Sequence, residues 1–417
     1  MCAICAVAVF SACGSNTNTG EEADSVTADE SVEETPTPSV EPTPVQEPQE
    51  SETPEMIEED PQEEKEEQVE EYVVTFRFPN EWTNADGLGE GILQPLGAAP
   101  LPEGFSEEEY LVTGEAVSYT SEDPVASDGF WTVTEDNSSA YKTRMILRYP
   151  PVEEFSGVVV VEWFNVTAGV DNSIDWAYLS EEIGRSGHAY VGVSAQYVGV
   201  MGNDTGRIPQ GLIDTRGLPI RDPARYGDLV HPGDAYSFDI FSQAAVASLV
   251  ILSSPEYGLP VTTVVAAGQS QSAAFLTSYL NAVHPLVDIF DGFLIHGRGD
   301  GAPEPSMQSS AETVLIRTDV NVPVLIYETE TDLTVLQYAN ARQEDSENIR
   351  TWEVAGAAHA DTYSITYSNG LPRQASVGAI LGCAGLINDG PQHETLQAAF
   401  HHLVSWATEG TSPPVSP

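Results

Sequence analysis

From about residue 110 onward the chain alternates short apolar runs with longer amphipathic stretches, the order expected of a mainly parallel sheet with helices on both faces. Tyr110 to Tyr119 and Lys142 to Tyr149 place apolar and polar residues in turn, which predicts antiparallel strands with one exposed face. The later runs differ in kind. Val158 to Val161, Ala189 to Val193, Thr262 to Ala267, Gly292 to Ile295 and Val322 to Tyr327 are nearly continuous in apolar residues, as central strands covered on both sides must be, and Thr351 to Val354 reads as a last strand. Helical spacing marks Ile174 to Ile183, after a cap at Asn172 or Ser173, then Phe238 to Leu252, Gln271 to Ala282 and Thr395 to Trp406. Tyr197 to Asp234 and Tyr363 to Gln392 follow neither period and are long enough to form functional loops or a cap over a site.

The beginning of the chain has another character. Between Glu21 and Glu71 there are 21 acidic residues against the single Lys65, with repeated prolines and almost no aromatic side chains. Such a segment cannot bury enough apolar surface to offset its ordering entropy, so residues 14–71 are expected to be a disordered, self-repelling linker. Of the 65 acidic and 15 basic residues in the 417-residue chain, 44 and 14 remain for the folded part, residues 72–417. With that balance nucleic acid is excluded as a partner, because little would neutralise phosphates. Residues 1–13 are a short apolar stretch ending in Phe10-Ser11-Ala12-Cys13, which reads as a lipoprotein-type signal. Cys13 is then the lipidated residue, and the protein is expected in the bacterial cell envelope, on the membrane through that anchor. A frayed apolar terminus is the plain alternative. No later run of about 20 apolar residues predicts a membrane span. Beyond the signal only Cys383 remains, so no intramolecular disulfide is expected and the core must supply the stability.

The segment Val264-Val265-Ala266-Ala267-Gly268-Gln269-Ser270-Gln271-Ser272-Ala273-Ala274 carries the most chemistry. A buried strand ends at Gly268 and a helix of small residues follows at once. A serine at such a turn can present its hydroxyl at the sheet edge only if the residues two before and two after are small, and Gly268 and Ser272 are. Ser270 is therefore the candidate nucleophile, against the simpler role of an N-cap. Gly192-Val193-Ser194-Ala195-Gln196 looks similar, but no helical pattern follows directly, so Ser194 is read as structural. A serine needs a base, and imidazole suits proton transfer near neutrality. Among eight histidines, His359 lies in a small-residue loop just past the last strand; His188, His231, His284, His296, His393, His401 and His402 are less well placed. The carboxylate that orients the imidazole should follow the strand ending at Tyr327. Glu330 and Asp332, two apart, would face the same way in extended chain; Asp332, farther into the loop, is preferred.

The order Ser270, Asp332, His359, together with Glu162-Trp163-Phe164-Asn165-Val166-Thr167-Ala168-Gly169, Gly268-Gln269-Ser270-Gln271-Ser272, Glu330-Thr331-Asp332 and Asn388-Asp389-Gly390-Pro391-Gln392-His393, resembles the α/β-hydrolases. More narrowly it resembles the branch called "alpha/beta hydrolase domain-containing". Ser272 replaces the glycine that usually closes the G-x-S-x-G turn. The resemblance implies an α/β-hydrolase fold with a mainly parallel sheet, helices on both faces and a cap or long loops. It also implies an oxyanion hole from the backbone N–H of Gln271 and one near Phe164 to Val166, such as that of Asn165. Arg298 and Asp300, after another strand, could reach the cleft, but in so acidic a protein any arginine finds a carboxylate, and Arg298 stays unassigned. Neither a metal-ligand cluster nor a phosphate loop is visible, so no cofactor is implied. The sequence thus predicts a serine hydrolase of small carboxylic esters, neutral ones given the acidic surface, tethered outside the cytoplasmic membrane. A lipid-anchored binding module without turnover, or an amide or thioester hydrolase, is the alternative.

Overall fold

In the computed structural model, residues 77–203, 213–369 and 386–415 are described, 366–369 by their backbone alone. The signal with Cys13, the acidic linker and Cys383 lie outside the described residues.

Nine strands form one sheet: β1 Glu81–Asn84, β2 Ser106–Thr120, β3 Thr134–Tyr149, β4 Val158–Trp163, β5 Ala189–Val193, β6 Thr263–Gln269, β7 Gly292–His296, β8 Val324–Thr329 and β9 Ile349–Val354. Their spatial order is β1-β2-β3-β5-β4-β6-β7-β8-β9. The pairs β1–β2, β2–β3 and β3–β5 are antiparallel. From β5 to β9 every pair is parallel. Every residue of β4, β6, β7 and β8 is buried, which is why those segments read as unbroken apolar runs. β1 gave no signal because its four residues are all partly exposed and too few to show a period.

The principal helices are α1 Ile174–Ser186, α2 Tyr197–Met201, α3 Leu218–Arg221, α4 Pro223–Tyr226, α5 Ser237–Leu252, α6 Gln271–Ser278, α7 Glu330–Thr334, α8 Thr362–Asn369 and α9 Gln392–Glu409. One sheet face packs on α5 and α6, where Trp163 lies 4.8 Å from Phe241 and 5.3 Å from Phe275 by ring centroids. The other face packs on α1 and α9 through Trp176, Leu179, Phe400 and Leu403. Asp234–Leu252 is apolar and long enough to cross a bilayer, but it is mostly buried in the domain, as a core helix would be.

Two expectations shift. The helix expected from Gln271 to Ala282 leaves α-geometry after Ser278 and passes through a π turn, Tyr279–Val283. The Ser278 hydroxyl there donates to Pro303 O at 2.6 Å, with Ala274 O, four residues back, also within reach at 3.2 Å. The segment Tyr197 to Asp234 holds three short helices, and Ala85, Leu111, Val200, Leu218, Tyr226 and Leu229 form a small satellite core beside β2. Residues 204–212 of it lie outside the described part.

Candidate active site

Strand β6 delivers Ser270 to the carboxyl edge of the sheet, where open α/β sheets place their ligands. Ser270 has φ 59° and ψ −114°, a conformation that costs a non-glycine residue roughly 1–3 kcal/mol. Its N–H donates to His296 O at 2.8 Å, and its C=O accepts from Ala274, which fix the bend from both sides. A Cβ added at Gly268 would sit 2.9 Å from Leu276 and 3.2 Å from Ser272 Cβ, so the small residues around the serine answer a real crowding. The N-cap position is Ser270 by location only, since its hydroxyl makes no capping bond.

His359 stands beyond β9, and its Nδ1 lies 2.6 Å from Asp332 Oδ1. Both side chains are buried. The His359 N–H donates to Thr331 Oγ1, which fixes the backbone beneath the ring. Asp332 is the third residue of α7, where its Oδ2 accepts the Thr329 N–H and hydroxyl, each at 2.7 Å. That capping box spends one carboxylate oxygen on the helix start and leaves the other for the imidazole. Gly297, at φ +62°, lies under the pair: a Cβ there would be 3.3 Å from both Asp332 Oδ2 and His359 Nδ1.

The geometry corrects the expectation that Glu330 and Asp332 face the same way. In a helical turn residues two apart point roughly 200° from each other. Glu330 is exposed and accepts the Gly356 N–H at 3.0 Å, whereas Asp332 is fully buried.

Among the described residues, no hydrogen bond joins Ser270 to His359. The His359 Nε2 instead meets the side-chain amide of Gln269 at 3.3 Å. Gln269 precedes the serine in sequence and is itself buried, so the imidazole sits against the elbow. In unliganded sites such contacts are commonly loose and tighten when substrate binds.

The backbone N–H of Asn165, expected to face the elbow, is already engaged. The N–H of Asn165 is spent on Asn172 O at 3.0 Å and its side chain on Gln269 O, so Asn165 holds the loop in place. The next N–H, that of Val166, points at the elbow, where it donates to Gln271 Oε1 at 3.3 Å. Gln271 begins α6, and the first N–H groups of a helix have no partner within it. The Val166 N–H thus meets the side-chain carbonyl of the residue that opens α6.

Other candidates have structural duties. Ser194 donates to Asp171 at 2.6 Å and receives Arg144 Nε. Arg298 is completely buried and donates to Thr277 Oγ1 at 2.9 Å and to Val314 O; Asp300 accepts from Asn340. His296 pairs with buried Asp175 at 2.8 Å but points toward α1 and α9, with Gln392 on its other nitrogen. Glu162 takes the Asp175 and Trp176 N–H groups, doing for α1 the capping expected of Asn172 or Ser173. That substitution has no local signal, because Glu162 lies one strand away. Among the described residues no cluster of three His, Cys, Asp or Glu side chains is placed to hold a metal.

No curated protein matches the chain. Similar solved structures include a dienelactone hydrolase from Anabaena variabilis, at 12% identity with 70% of this chain and 98% of that one covered and a TM-score of 0.33. An S-formylglutathione hydrolase from Agrobacterium tumefaciens gives 10%, 70%, 100% and 0.33. A Pyrobaculum calidifontis esterase gives 11%, 65%, 83% and 0.32. Similarity this low carries nothing about substrate or residue roles. A family model described as the alpha/beta hydrolase domain, however, matches residues 84–417, a stretch that takes in strands β2 to β9, the elbow and the histidine loop, and the chain belongs to that family.

Proposed function

We propose that the protein is a serine hydrolase of carboxylic esters. Ser270 Oγ attacks the ester carbonyl while His359 Nε2 takes its proton, and Asp332 holds Nδ1–H so that the basic nitrogen faces the elbow. The N–H groups of Gln271 and Val166 receive the oxyanion, a contribution whose loss typically costs on the order of 10²–10³ in rate. His359 then returns its proton to the departing alkoxide, and a water activated by the same nitrogen releases the acid from the acyl-serine. The observation that carries this reading is the 2.6 Å pairing of His359 with a buried Asp332 directly beside a strained serine.

Export and tethering belong to the same proposal and rest on Phe10-Ser11-Ala12-Cys13 with the acidic linker behind it. A fluorophosphonate probe tests the chemistry: the native protein should be labelled and hydrolyse simple esters, and Ser270→Ala should do neither. An unlabelled native protein that binds small molecules without turnover would replace the enzyme with a binding module. Metabolic labelling with a fatty acid, lost in Cys13→Ala, tests the anchor.

A further inference from the structure

The segment Asn388-Asp389-Gly390-Pro391-Gln392 has no part in the chemistry above, yet its side chains reach the supports of both His359 and Ser270. His359 sits in the middle of a loop that runs from Gly356, three residues before it, to Thr362, three residues after, where α8 begins. Asn388 bonds to both of those residues. Its Nδ2 donates to Gly356 O at 2.9 Å, and its main-chain O accepts the Thr362 N–H at 2.8 Å and the Thr362 hydroxyl at 3.0 Å. Its Oδ1 accepts the Gly390 N–H at 2.9 Å, a local turn that presets the side chain before it meets the loop. Gly390 must be small for the two segments to meet: a Cβ there would run into Gly356 O and lie 3.2 Å from Ala357 Cα. With its N–H on Glu330, Gly356 is thus held at both of its polar groups.

Four residues on, Gln392 opens α9 and is fully buried. Its Nε2 lies 3.1 Å from His296 Nε2, while His296 Nδ1 meets Asp175 Oδ1 at 2.8 Å. A carboxylate only accepts, so in the neutral ring Nδ1 carries the proton and Nε2 receives one from the amide. The imidazole is tied to α1 on one side and to α9 on the other. Its main chain is what the reacting groups rest on. His296 O accepts the Ser270 N–H at 2.8 Å, and the next residue, Gly297, lies under the Asp332–His359 pair.

We propose that Asn388 and Gln392 are positioning residues of the Ser270 centre: Asn388 holds both ends of the His359 loop, and Gln392 holds His296 behind the serine turn. Neither touches the reacting atoms. They fix where the base and the nucleophile stand before substrate arrives, a role that deepens the esterase reading and rests on it. Misplacing a reacting group by about 1 Å costs on the order of 10² in rate, so the loss falls on reactivity and not on how much protein folds.

Fluorophosphonate labelling separates the two, because its end point counts folded sites and its rate constant reports how serine and imidazole are held. Asn388→Asp keeps the Gly390 turn but loses the donor to Gly356 O; Gln392→Met keeps the approximate volume but loses the donor to His296. Each should reach the native end point at a rate constant roughly ten- to hundred-fold lower, and should lower kcat for p-nitrophenyl butyrate by a similar factor with KM within a few-fold. A variant that loses end point without losing rate constant, or that does not fold, has lost a structural residue only and overturns that assignment; native values throughout overturn it as well. A second measurement needs no turnover. The far-downfield imidazole N–H resonance that Asp332→Asn removes from the proton NMR spectrum belongs to His359, and it should broaden or move in Asn388→Asp. A resonance indifferent to Asn388→Asp overturns the clasp. Native protein that is never labelled, with a resonance that still responds, keeps the clasp and overturns the esterase.

Discussion

His359 Nδ1 and Asp332 Oδ1 are 2.6 Å apart, while the second oxygen of the same carboxylate closes the first turn of α7 on Thr329. One side chain therefore fixes both a helix start and an imidazole. Replacing Asp332 by Asn should leave the fold standing and lower kcat by about 10³–10⁴, the scale on which a wrongly held tautomer acts. Glu330→Gln, which can still accept the Gly356 N–H, should stay within a few-fold of the native rate. Equal losses in the two variants would show that neither carboxylate orients the base.

Gln269 touches His359 Nε2, the nitrogen that the proposed mechanism makes the base. Gln269→Glu puts a carboxylate against His359 Nε2, which favours the imidazolium, so the acid limb of the kcat/KM profile should move up by about one pH unit. Gln269→Leu should shift it less. An unmoved limb in Gln269→Glu would mean that the contact opens before catalysis.

Glu328 lies at the end of β8 between Asp332 and Arg298, and burial first, then the charge of Asp332, holds its carboxyl well above the usual carboxylate range. A carboxyl whose folded pKa is raised adds stability that is complete below the unfolded value and is lost as pH rises through the folded one. Urea unfolding from pH 4 to 8 should therefore show the native protein losing stability, relative to Glu328→Gln, as pH rises. A difference that does not change with pH would contradict the protonated carboxyl.

His188 has the opposite sign. Burial pushes its imidazole down to about 4, beside Ser156 and Phe400. Neutral His188 is compatible with the fold at pH 7, but between about pH 6.5 and 4 the unfolded chain binds a proton that the native state refuses, so stability falls as pH falls. The native protein should lose about 2–3 kcal/mol more than His188→Gln over that interval, measured by urea unfolding at pH 7 and 4.5. No difference would place the ring in contact with solvent.

Much of this protein is written locally. The unbroken apolar runs of β4, β6, β7 and β8 announce strands buried on both faces, and the step from Val265-Ala266-Ala267-Gly268 into a small-residue helix announces an elbow at Ser270. These are legible because periodicity and steric crowding act between neighbours in sequence. His359 was readable only as a histidine after a last strand.

What tertiary structure decided are the pairings across distance. Whether Asp332 or Glu330 meets the imidazole depended on a five-residue helix nucleated by Thr329, too short to show a period. The N–H of Asn165 was claimed by Asn172, seven residues on, which leaves the next N–H, that of Val166, facing the elbow. Glu162 capped α1 from a neighbouring strand. Sequence fixes which groups are available. A hydrogen bond admits few partners, and only packing settles which of the available groups come within three ångströms first.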